Sequence, residues 1–390
     1  MKKTVLFING HLDTGGCERS LVDVLKNFDY GNYEVDLLLL QHTGDYIDEI
    51  PKEVNVKLYS LDNSFGKIQE CLITSFRNRD WFSFFFRIEY FLGKKVSNYF
   101  MSCMKRLFKD LKKDYDVIIA YRPGICTELA AYTFEGKYKI SWWHHGIINL
   151  SEYEIKTLQK SYSRLDKVIT VSESCKEMLA KKFPDAREKI FVIPNMIDGN
   201  ELLDKSKRYV PTEFETEKLK IVSVGRMSPE KNMALCPEIG QSLKNRSIDF
   251  KWIIIGDGEE ELRIKDKIKE YGLEESVILI GKKSNPYPYI MKADLMIHPS
   301  LVESQGISII ESMALHTPVI AVASSGPKAF LISGKNGYLV NPEPEEVVTI
   351  IQMLQKNSKM KMQIIENAYE TAEMFKPSRV MNNLEKNLEA

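Results

Sequence analysis

The most constraining feature of this chain is a repeated alternation of short apolar runs with stretches of helical pattern. The first half contains the runs KTVLFIN, YEVDLLLL, YDVIIAY, KYKISWW, DKVITVS and KIFVIPN, and the second half contains KIVSVG, DFKWIIIG, SVILIG, ADLMIH and PVIAV. Runs of this kind, each followed by a helical segment, are typical of parallel sheets. The chain is therefore expected to be an α/β protein.

The length of the chain predicts two domains, because 390 residues exceed what one hydrophobic core usually supports. The first domain is predicted over residues 1–199 and the second over residues 219–374. The strand pattern lapses in the polar, charged residues 200–218, which predict a linker. Residues 375–390 predict one more helix, which in two-domain proteins of this kind can cross back onto the first domain.

Composition excludes several classes of protein. The 54 basic and 54 acidic residues cancel, so nucleic acid is not an expected partner. The apolar run after the first two lysines is too short for a signal peptide, and the aromatic run WFSFFFRIEYFLG is interrupted by Arg87 and Glu89, so it is too short and too charged to span a bilayer. The six cysteines are dispersed, with no CxxC pair, which predicts reduced thiols and a cytoplasmic protein.

Residues 76–113 combine ten Lys or Arg with three acids and eleven aromatic residues. This stretch has two interpretations. In one, Trp81, Phe85, Ile88 and Leu92 fill the core of the first domain and the basic residues are solvated. In the other, it meets an anionic membrane surface through a second set of residues. That set is Phe82, Phe86, Lys94, Lys95, Lys105 and Lys109.

Two short motifs in the first half are candidate ligand contacts. TGGCER follows the first strand and opens a helix, so Gly15 and Gly16 could bring backbone N–H groups against an anion; a plain tight turn is the alternative. WWHHG ends the KYKISWW strand, where open α/β sheets bind ligands. Adjacent histidines point in different directions, so at most one of them reaches a ligand, and we expect that one to be His145. The alternative is that the loop histidine has no role. Cys17 lacks a nearby base and is expected to be a small buried residue.

The second half contains two motifs that suit a phosphorylated ligand. VGRMSPEKN places Arg226 and Lys231 in the loop after the first strand of the second domain, where the two cations could converge on a diphosphate. A solvated loop is the alternative. ESQGISIIE places Glu303 before a predicted helix and Glu311 inside it. Each carboxylate could accept hydrogen bonds from paired hydroxyls, as a ribose and a sugar present them.

The N-terminus of the same predicted helix is a candidate anion site. Its first backbone N–H groups, those of Gly306, Ile307 and Ser308, have no partner within the helix, and the helix dipole favours negative charge there. A phosphate could rest on them between Glu303 and Glu311. The alternative for Glu311, a solvated acid on the helix surface, fits poorly with its apolar neighbours in sequence.

The chain resembles the retaining glycosyltransferases of family 4, and the resemblance covers nearly its whole length. The matching pieces, in family order, are GG-ER, HHG, VSES, IPNMID, VGRMSPEKN, IIIGDG, HPSLVESQGISIIESMALHTPVIA and NGYLV. The resemblance implies the GT-B fold, in which two Rossmann-like α/β domains face a cleft. It also implies a nucleotide-diphosphate sugar donor, and a UDP-sugar is expected.

Roles for individual residues also follow from the resemblance. Arg226 and Lys231 would bind the donor diphosphate, and Glu311 would hold the nucleotide ribose. Glu303 and His145 would lie by the transferred sugar. Gly15 and Gly16 would approach the phosphates from the other domain.

The sequence departs from the family at two places. Ser304, Gln305 and Gly306 stand where Gly-Phe-Gly is usual, and Lys328, Ala329 and Phe330 follow Gly-Pro where the family often has a Glu. The donor sugar is therefore left open.

The expected activity is transfer of a sugar, with retention of configuration, to a saccharide acceptor, expected to be lipid-linked, in the synthesis of a bacterial surface glycan. The resemblance implies that no cofactor or metal is required. The sequence agrees, because the single Asp-x-Asp, DYD at 114–116, precedes a strand and is expected to begin it. The enzyme would be cytoplasmic, or peripheral at the inner membrane face. A nucleotide-sugar epimerase, a phosphorylase and a catalytically silent partner subunit are the alternatives.

Overall fold

The protein forms two compact α/β units. The structure is a computed structural model that describes residues 2–13, 15–41, 44–61, 66–112 and 114–388. Its first unit contains the described residues up to His144, residues 148–193 and the described residues from Met381 onward, and its second unit contains residues 145–147 and 194–380. Apart from residues 145–147, the chain enters the second unit at Pro194, five residues before the end predicted for the first domain.

The first unit is built on a seven-stranded parallel sheet in the order β3-β2-β1-β4-β5-β6-β7. Phe7, in an interior strand of this sheet, pairs with Leu37 on one side and Ile119 on the other, and all three are buried. Near-continuous apolar strands are expected where both faces of a parallel sheet are covered. The strands are β1 Lys3–Asn9, β2 Tyr33–Leu39, β3 Val54–Leu58, β4 Asp114–Ala120, β5 Glu135–Trp143, β6 Lys167–Thr170 and β7 Ile190–Val192.

The second unit is built on a six-stranded parallel sheet in the order β10-β9-β8-β11-β12-β13. The strands are β8 Leu219–Val224, β9 Phe250–Ile255, β10 Val277–Leu279, β11 Leu295–His298, β12 Val319–Val322 and β13 Tyr338–Val340. The chain runs outward from β8 to β9 and β10, then returns to lay β11 on the other side of β8. The carboxyl ends of β8 and β11 therefore form the switch point at which open α/β sheets bind ligands.

Helices follow most strands and supply the outer layers. Those of the first unit are α1 Gly16–Lys26, α2 Ile68–Arg77, α3 Trp81–Lys95, α4 Tyr99–Cys103, α5 Ile125–Glu128, α6 Glu152–Tyr162 and α7 Glu173–Lys182. Those of the second unit begin with α8 Gly199–Ser206, α9 Leu235–Asn245, α10 Glu261–Glu270, α11 Tyr287–Lys292 and α12 Ile307–Ala314. They continue with α13 Ser325–Lys328, α14 Pro344–Lys356 and α15 Ser358–Ala372, and α16 Pro377–Leu388 ends in the first unit.

The segment predicted as a linker, 200–218, is part of the second unit. It contains most of α8, and its Leu202 and Phe214 are 4% and 1% exposed within the core that also includes Val222 and Met313. Leu202 and Phe214 pack this otherwise polar segment into that core, and the average composition of the segment conceals them.

Helix α16 is joined to the first unit by hydrogen bonds. Lys167 Nζ donates to the carbonyl of Asn387 at 3.1 Å, and Asn383 Nδ2 donates to the carbonyl of Val192 at 3.4 Å. Leu384 is fully buried. The final helical segment of the sequence thus packs with the unit in which the chain begins.

The face of helix α3 that packs against the core differs from the face that each of the two sequence interpretations assumed. Phe86 is 2% exposed and Phe82 packs against the core, whereas Trp81 and Phe85 are 50% and 45% exposed. The expectations for these four residues were therefore wrong, because five aromatic residues fall in the first six positions of α3 and point in several directions, so periodicity does not select the buried face. Of the lysines expected to face a membrane, Lys94 lies 2.5 Å from a carboxylate oxygen of Glu128 and is not available to a membrane. The last residue of the stretch, 113, lies outside the described residues.

Candidate active site

The loops that follow β8 and β11 are joined to each other at the switch point of the second sheet. The backbone N–H of Leu301 donates to the carbonyl of Glu230 at 2.9 Å, and Asn232 Nδ2 donates to the carbonyl of Pro299 at 3.4 Å. Asn232 has a φ of 52°, a left-handed conformation that Asn tolerates better than most residues. The two loops thus hold the sequence motifs VGRMSPEKN and ESQGISIIE side by side.

Glu303 is held between two basic side chains. Its Oε1 accepts hydrogen bonds from Lys231 Nζ at 2.6 Å and from His298 Nε2 at 2.7 Å, and the residue is 7% exposed. Burial alone would raise the pKa of Glu303, but the hydrogen bond from His298 and the charge of Lys231 outweigh it and lower that pKa to about 2. Glu303 is therefore ionised at neutral pH, so it can accept hydrogen bonds but cannot act as an acid.

His298 was given no role on the basis of the sequence. It ends β11, is 3% exposed, and places its Nδ1 3.3 Å from the hydroxyl of Ser308. Because the Glu303 carboxylate only accepts, Nε2 carries the proton of the imidazole. The motif HPS, five residues before a Glu, is the sequence signal that could have identified His298.

The N-terminus of α12 points unpaired N–H groups toward the same end of the sheet. Gly306 caps the helix with φ 90° and ψ 57°, a conformation that favours glycine. Within the part of the chain that the structure describes, the backbone N–H groups of Gly306, Ile307 and Ser308 donate to no other residue. These groups and the helix dipole form a potential anion site beside Glu303.

Glu311 lies inside α12 and is 8% exposed, with Ile310 and Met313 fully buried beside it. The hydroxyl of Tyr287 donates to its Oε1 at 2.8 Å. The solvated surface acid, which was the alternative, is thereby excluded. Tyr287, which the sequence did not single out, fixes the direction of the carboxylate.

Arg226 differs from Lys231 in having no partner among the described residues, to which its side chain makes neither a hydrogen bond nor an ion pair. Its backbone is fixed, because Met227 N donates to the carbonyl of Asp257 at 2.7 Å and a Cβ on Gly256 would collide with the carbonyl oxygen of Gly225. Its side chain is exposed. The loop therefore presents one neutralised cation and one unpaired cation.

His145 lies next to the Glu303 loop. The short segment 145–147 belongs to the second unit, and a Cβ on Gly146 would lie 2.8 Å from the backbone carbon of Glu303 and 2.9 Å from Ser304 N. Only a glycine fits at that distance without displacing the loop. The exposed His145 is thus brought near Glu303 by backbone contact.

Gln305, one of the departures from the family pattern, fixes the back of the loop. Its Oε1 accepts from both the backbone N and the side-chain Nδ2 of Asn195 at 2.8 Å, and its Nε2 donates to the carbonyl of Asn195 at 3.2 Å. Gln305 is 2% exposed. Just before the second departure, Gly326 N and the hydroxyl of Ser325 donate to the carbonyl of Glu303 at 3.2 and 3.1 Å.

Gly15 and Gly16 lie in the first unit, where Gly15 caps α1. The residue before them, 14, lies outside the described residues. The carboxylate of Glu18 approaches Gly15, is 3% exposed and pairs with Arg122. An anion-binding role of the glycine pair stays a prediction.

Two residues of the first unit that bear on the chemistry lie where the sequence places them. Cys17 is partly buried, and burial of its thiol raises the pKa of that thiol to about 12, so it is not a nucleophile. The DYD sequence begins β4, as expected, and its Asp116 accepts a hydrogen bond from Thr4 N at 2.8 Å.

The described residues contain neither a candidate metal site nor a candidate membrane span. Across the described residues, no group of three His, Cys, Asp or Glu side chains is arranged to hold a metal ion. No helix among them has the length and apolar character that crossing a bilayer requires.

Two family models match successive parts of the chain. The model described as Glycosyltransferase Family 4 matches residues 14–201, and the model described as Glycosyl transferases group 1 matches residues 205–371. Together they cover both units.

Curated glycosyltransferases are similar to this chain in sequence, and solved structures share its fold. An uncharacterized glycosyltransferase of Haemophilus influenzae is 25% identical over 93% of each chain. The N-acetylgalactosamine-N,N'-diacetylbacillosaminyl-diphospho-undecaprenol 4-alpha-N-acetylgalactosaminyltransferase of Campylobacter jejuni is 29% identical over 47% of this chain, and the match spans about half (49%) of that relative. HepE of Anabaena, solved in complex with UDP, superposes with a TM-score of 0.72 at 19% identity over 100% of this chain and 99% of HepE.

Proposed function

Because this chain belongs to glycosyltransferase family 4 and has the GT-B fold of that family, we propose that it transfers a sugar from a UDP-sugar to a saccharide acceptor during assembly of a bacterial surface glycan. The UDP bound to HepE supports the choice of nucleotide. The Campylobacter relative, named for an undecaprenol-linked acceptor, supports a lipid-linked saccharide. A lipid-linked acceptor would place the enzyme at the inner face of the cell membrane.

The donor diphosphate would lie at the switch point of the second sheet. The unpaired guanidinium of Arg226 offers a fork of donors, the N–H groups of Gly306, Ile307 and Ser308 offer an anion site, and Lys231 adds a positive charge. Glu303 already neutralises part of the positive charge of Lys231. Arg226 would therefore provide most of the stabilisation of the negative charge that develops on the diphosphate as the sugar–phosphate bond breaks.

The two carboxylates would bind hydroxyl groups. Glu311, oriented by Tyr287, would accept from the paired ribose hydroxyls of the nucleotide. Glu303 would accept from hydroxyls of the transferred sugar, with His145 on the same loop face. The pKa of about 2 supports this assignment, because Glu303 keeps its acceptor character at any physiological pH.

The proposed reaction retains the configuration of the sugar and uses no metal. The bond between the anomeric carbon and the phosphate oxygen breaks, and the acceptor hydroxyl oxygen forms the new bond on the same face. The acceptor proton goes to the departing diphosphate oxygen, so the products are the glycoside and UDP. Glu303 is a poor covalent nucleophile, because hydrogen bonds from Lys231 and His298 already occupy its Oε1.

The observation that carries the proposal is the ionised Glu303, held by Lys231 and His298 beside the unpaired N–H groups of α12. The test is incubation of the protein with UDP-glucose or UDP-N-acetylglucosamine and undecaprenyl-linked saccharides, with product analysis by mass spectrometry and NMR. An α-glycoside with equimolar UDP supports the proposal. Isomerisation of the donor in the absence of acceptor would indicate an epimerase. Formation of a sugar phosphate from inorganic phosphate would indicate a phosphorylase, and the absence of turnover would indicate a catalytically silent subunit.

A further inference from the structure

Helix α3 exposes an apolar face that its packing in the first unit does not use. Its buried residues, Ser83, Phe86, Glu89 and Gly93, recur every three or four positions and form one face. Trp81 and Phe85 lie off that face and are 50% and 45% exposed. A helix that is apolar on both its core side and its solvent side needs a second apolar environment.

The exposed Trp81 and Phe85 form a continuous aromatic cluster with the half-buried Phe84 and with the exposed Phe76 at the end of α2. Phe76 and Trp81 pack edge to face with ring centroids 5.8 Å apart, and Phe84 lies 6.4 and 6.1 Å from them. Phe85 extends the cluster, with its ring 5.5 Å from that of Phe84. We call Phe76, Trp81, Phe84 and Phe85 the aromatic face. Contiguous exposed patches of this kind mark interaction sites rather than ordinary surface.

Two arginines that form no ion pair with another described residue adjoin the aromatic face. Arg77 and Arg79 lie at the turn between Phe76 and Trp81, both are exposed, and neither side chain pairs with another described residue. The acid at the turn, Asp80, is engaged by Ser83 N, which donates to its Oδ1 at 3.0 Å. Solvent-accessible aromatic rings beside unpaired guanidinium groups are complementary to a surface in which an apolar layer lies beneath an anionic layer.

We propose that the aromatic face is a membrane-docking surface that binds anionic bilayers, with the rings in the headgroup boundary and Arg77 and Arg79 on lipid phosphates. Amphipathic aromatic side chains partition to that boundary, and basic residues beside it gain from the negative surface potential. A protein partner would have to supply its own acids to the two arginines, whereas an anionic bilayer supplies phosphates wherever it is met. Docking would give the proposed transferase access to a lipid-linked acceptor. This role of docking rests on the proposed function, but vesicle binding can be measured without it.

The tryptophans of this protein allow docking to be read directly. Of the four, Trp142, Trp143 and Trp252 are at most 2% exposed, so Trp81 is the one that solvent and lipid can reach. Adding vesicles that contain phosphatidylglycerol should shift its fluorescence to shorter wavelength and protect it from acrylamide. Vesicles of phosphatidylcholine alone should bind at least about tenfold more weakly, because two basic residues each contribute about fivefold.

Two variants and a matched control decide the proposal by co-sedimentation, which needs no enzymatic activity. Trp81→Glu/Phe85→Glu should abolish co-sedimentation, and Arg77→Gln/Arg79→Gln should weaken it at least tenfold and reduce its salt dependence. Leu262→Glu/Met362→Glu makes the same change at two exposed apolar residues of the second unit, 75% and 63% exposed, and should bind as the wild type does.

Three results would overturn the proposal. One is a wild type that ignores phosphatidylglycerol vesicles at low salt, and another is equal loss of binding in the control. The third is a dimer in sedimentation velocity that Trp81→Glu/Phe85→Glu separates, because the face would then join two copies of the chain. Donor turnover measured alongside separates any such failure from failure of the proposed function.

Discussion

The ammonium group of Lys231 lies 2.6 Å from the carboxylate of Glu303, 72 residues further along the chain, whereas Arg226, five residues before Lys231, makes no such pair with a described residue. We therefore expect the two cationic side chains on this loop to have different roles. Lys231 positions an anion that the protein itself supplies, and Arg226 is available for an anion that arrives with a ligand.

This difference predicts that activity and stability separate in two alanine variants. Arg226→Ala should lower kcat/KM about a hundredfold or more with the free energy of unfolding unchanged, because the lost charge stabilises only the leaving group. Lys231→Ala should lower both, with a stability loss of about 1–3 kcal/mol, because it removes a hydrogen bond from a buried carboxylate. Steady-state kinetics and urea denaturation measure the two quantities.

Arg208→Ala is the control for both variants. Arg208 is exposed in the same unit, its side chain pairs with no described residue, and it lies outside the site, so neither quantity should change. Wild-type turnover in Arg226→Ala would contradict the division of roles.

The low pKa of Glu303 predicts a pH dependence of stability. The pKa falls from 4.5 to about 2 on folding, so the unfolded state binds more protons between these values and stability rises with pH there. The contribution, about 3 kcal/mol, is complete above the unfolded value and is lost as the pH falls toward 2. Denaturation of the wild type from roughly pH 6 to pH 3 should give a steeper loss of stability than the same series for Glu303→Gln. Parallel curves would show that Glu303 is not held as an anion.

The contact of Gly146 with the Glu303 loop predicts a loss of activity on adding a single methyl group. Gly146→Ala would push on the backbone of Glu303 and Ser304, and a displacement approaching 1 Å in a reacting site can cost about a hundredfold. We expect kcat to fall about tenfold or more. Gly199→Ala is the matched control, since nothing lies within 4 Å of a Cβ at that position and it should leave kcat unchanged. Equal kcat in Gly146→Ala and wild type would disprove the effect.

Metal independence is tested by chelation. The positive charge at the proposed diphosphate site comes from Arg226, Lys231 and backbone N–H groups, so turnover in EDTA should stay within about twofold of that in buffer. Complete loss in EDTA, restored by Mg²⁺ or Mn²⁺, would mean that the charge is supplied by an ion instead.

Much of the site could be predicted, because the residue types and their spacing in the sequence identify its main residues. The spacing of Glu303 and Glu311 places one before a helix and one inside it, and the structure finds them there. The partners could not be predicted. Tyr287 reaches Glu311 from a neighbouring helix and Asn195 reaches Gln305 from 110 residues away, and such contacts depend on the tertiary fold rather than on local pattern.

The fold shows the same division. Alternating apolar runs predicted both parallel sheets, since strand identity is a local property. The assignment of 200–218 as a linker depended on average polarity and missed Leu202 and Phe214, which are buried. For α3, aromatic residues at the start of the helix point in several directions, so only the packed structure reveals which of them are exposed to solvent.

Calorimetric titration with UDP tests whether the second unit binds a uridine diphosphate group through Arg226 and the N-terminus of α12. We expect saturable binding of one UDP per chain, weakened at least about tenfold by Arg226→Ala and unchanged by Arg208→Ala. Absence of UDP binding to a folded wild type, or equal affinity in Arg226→Ala, would contradict it.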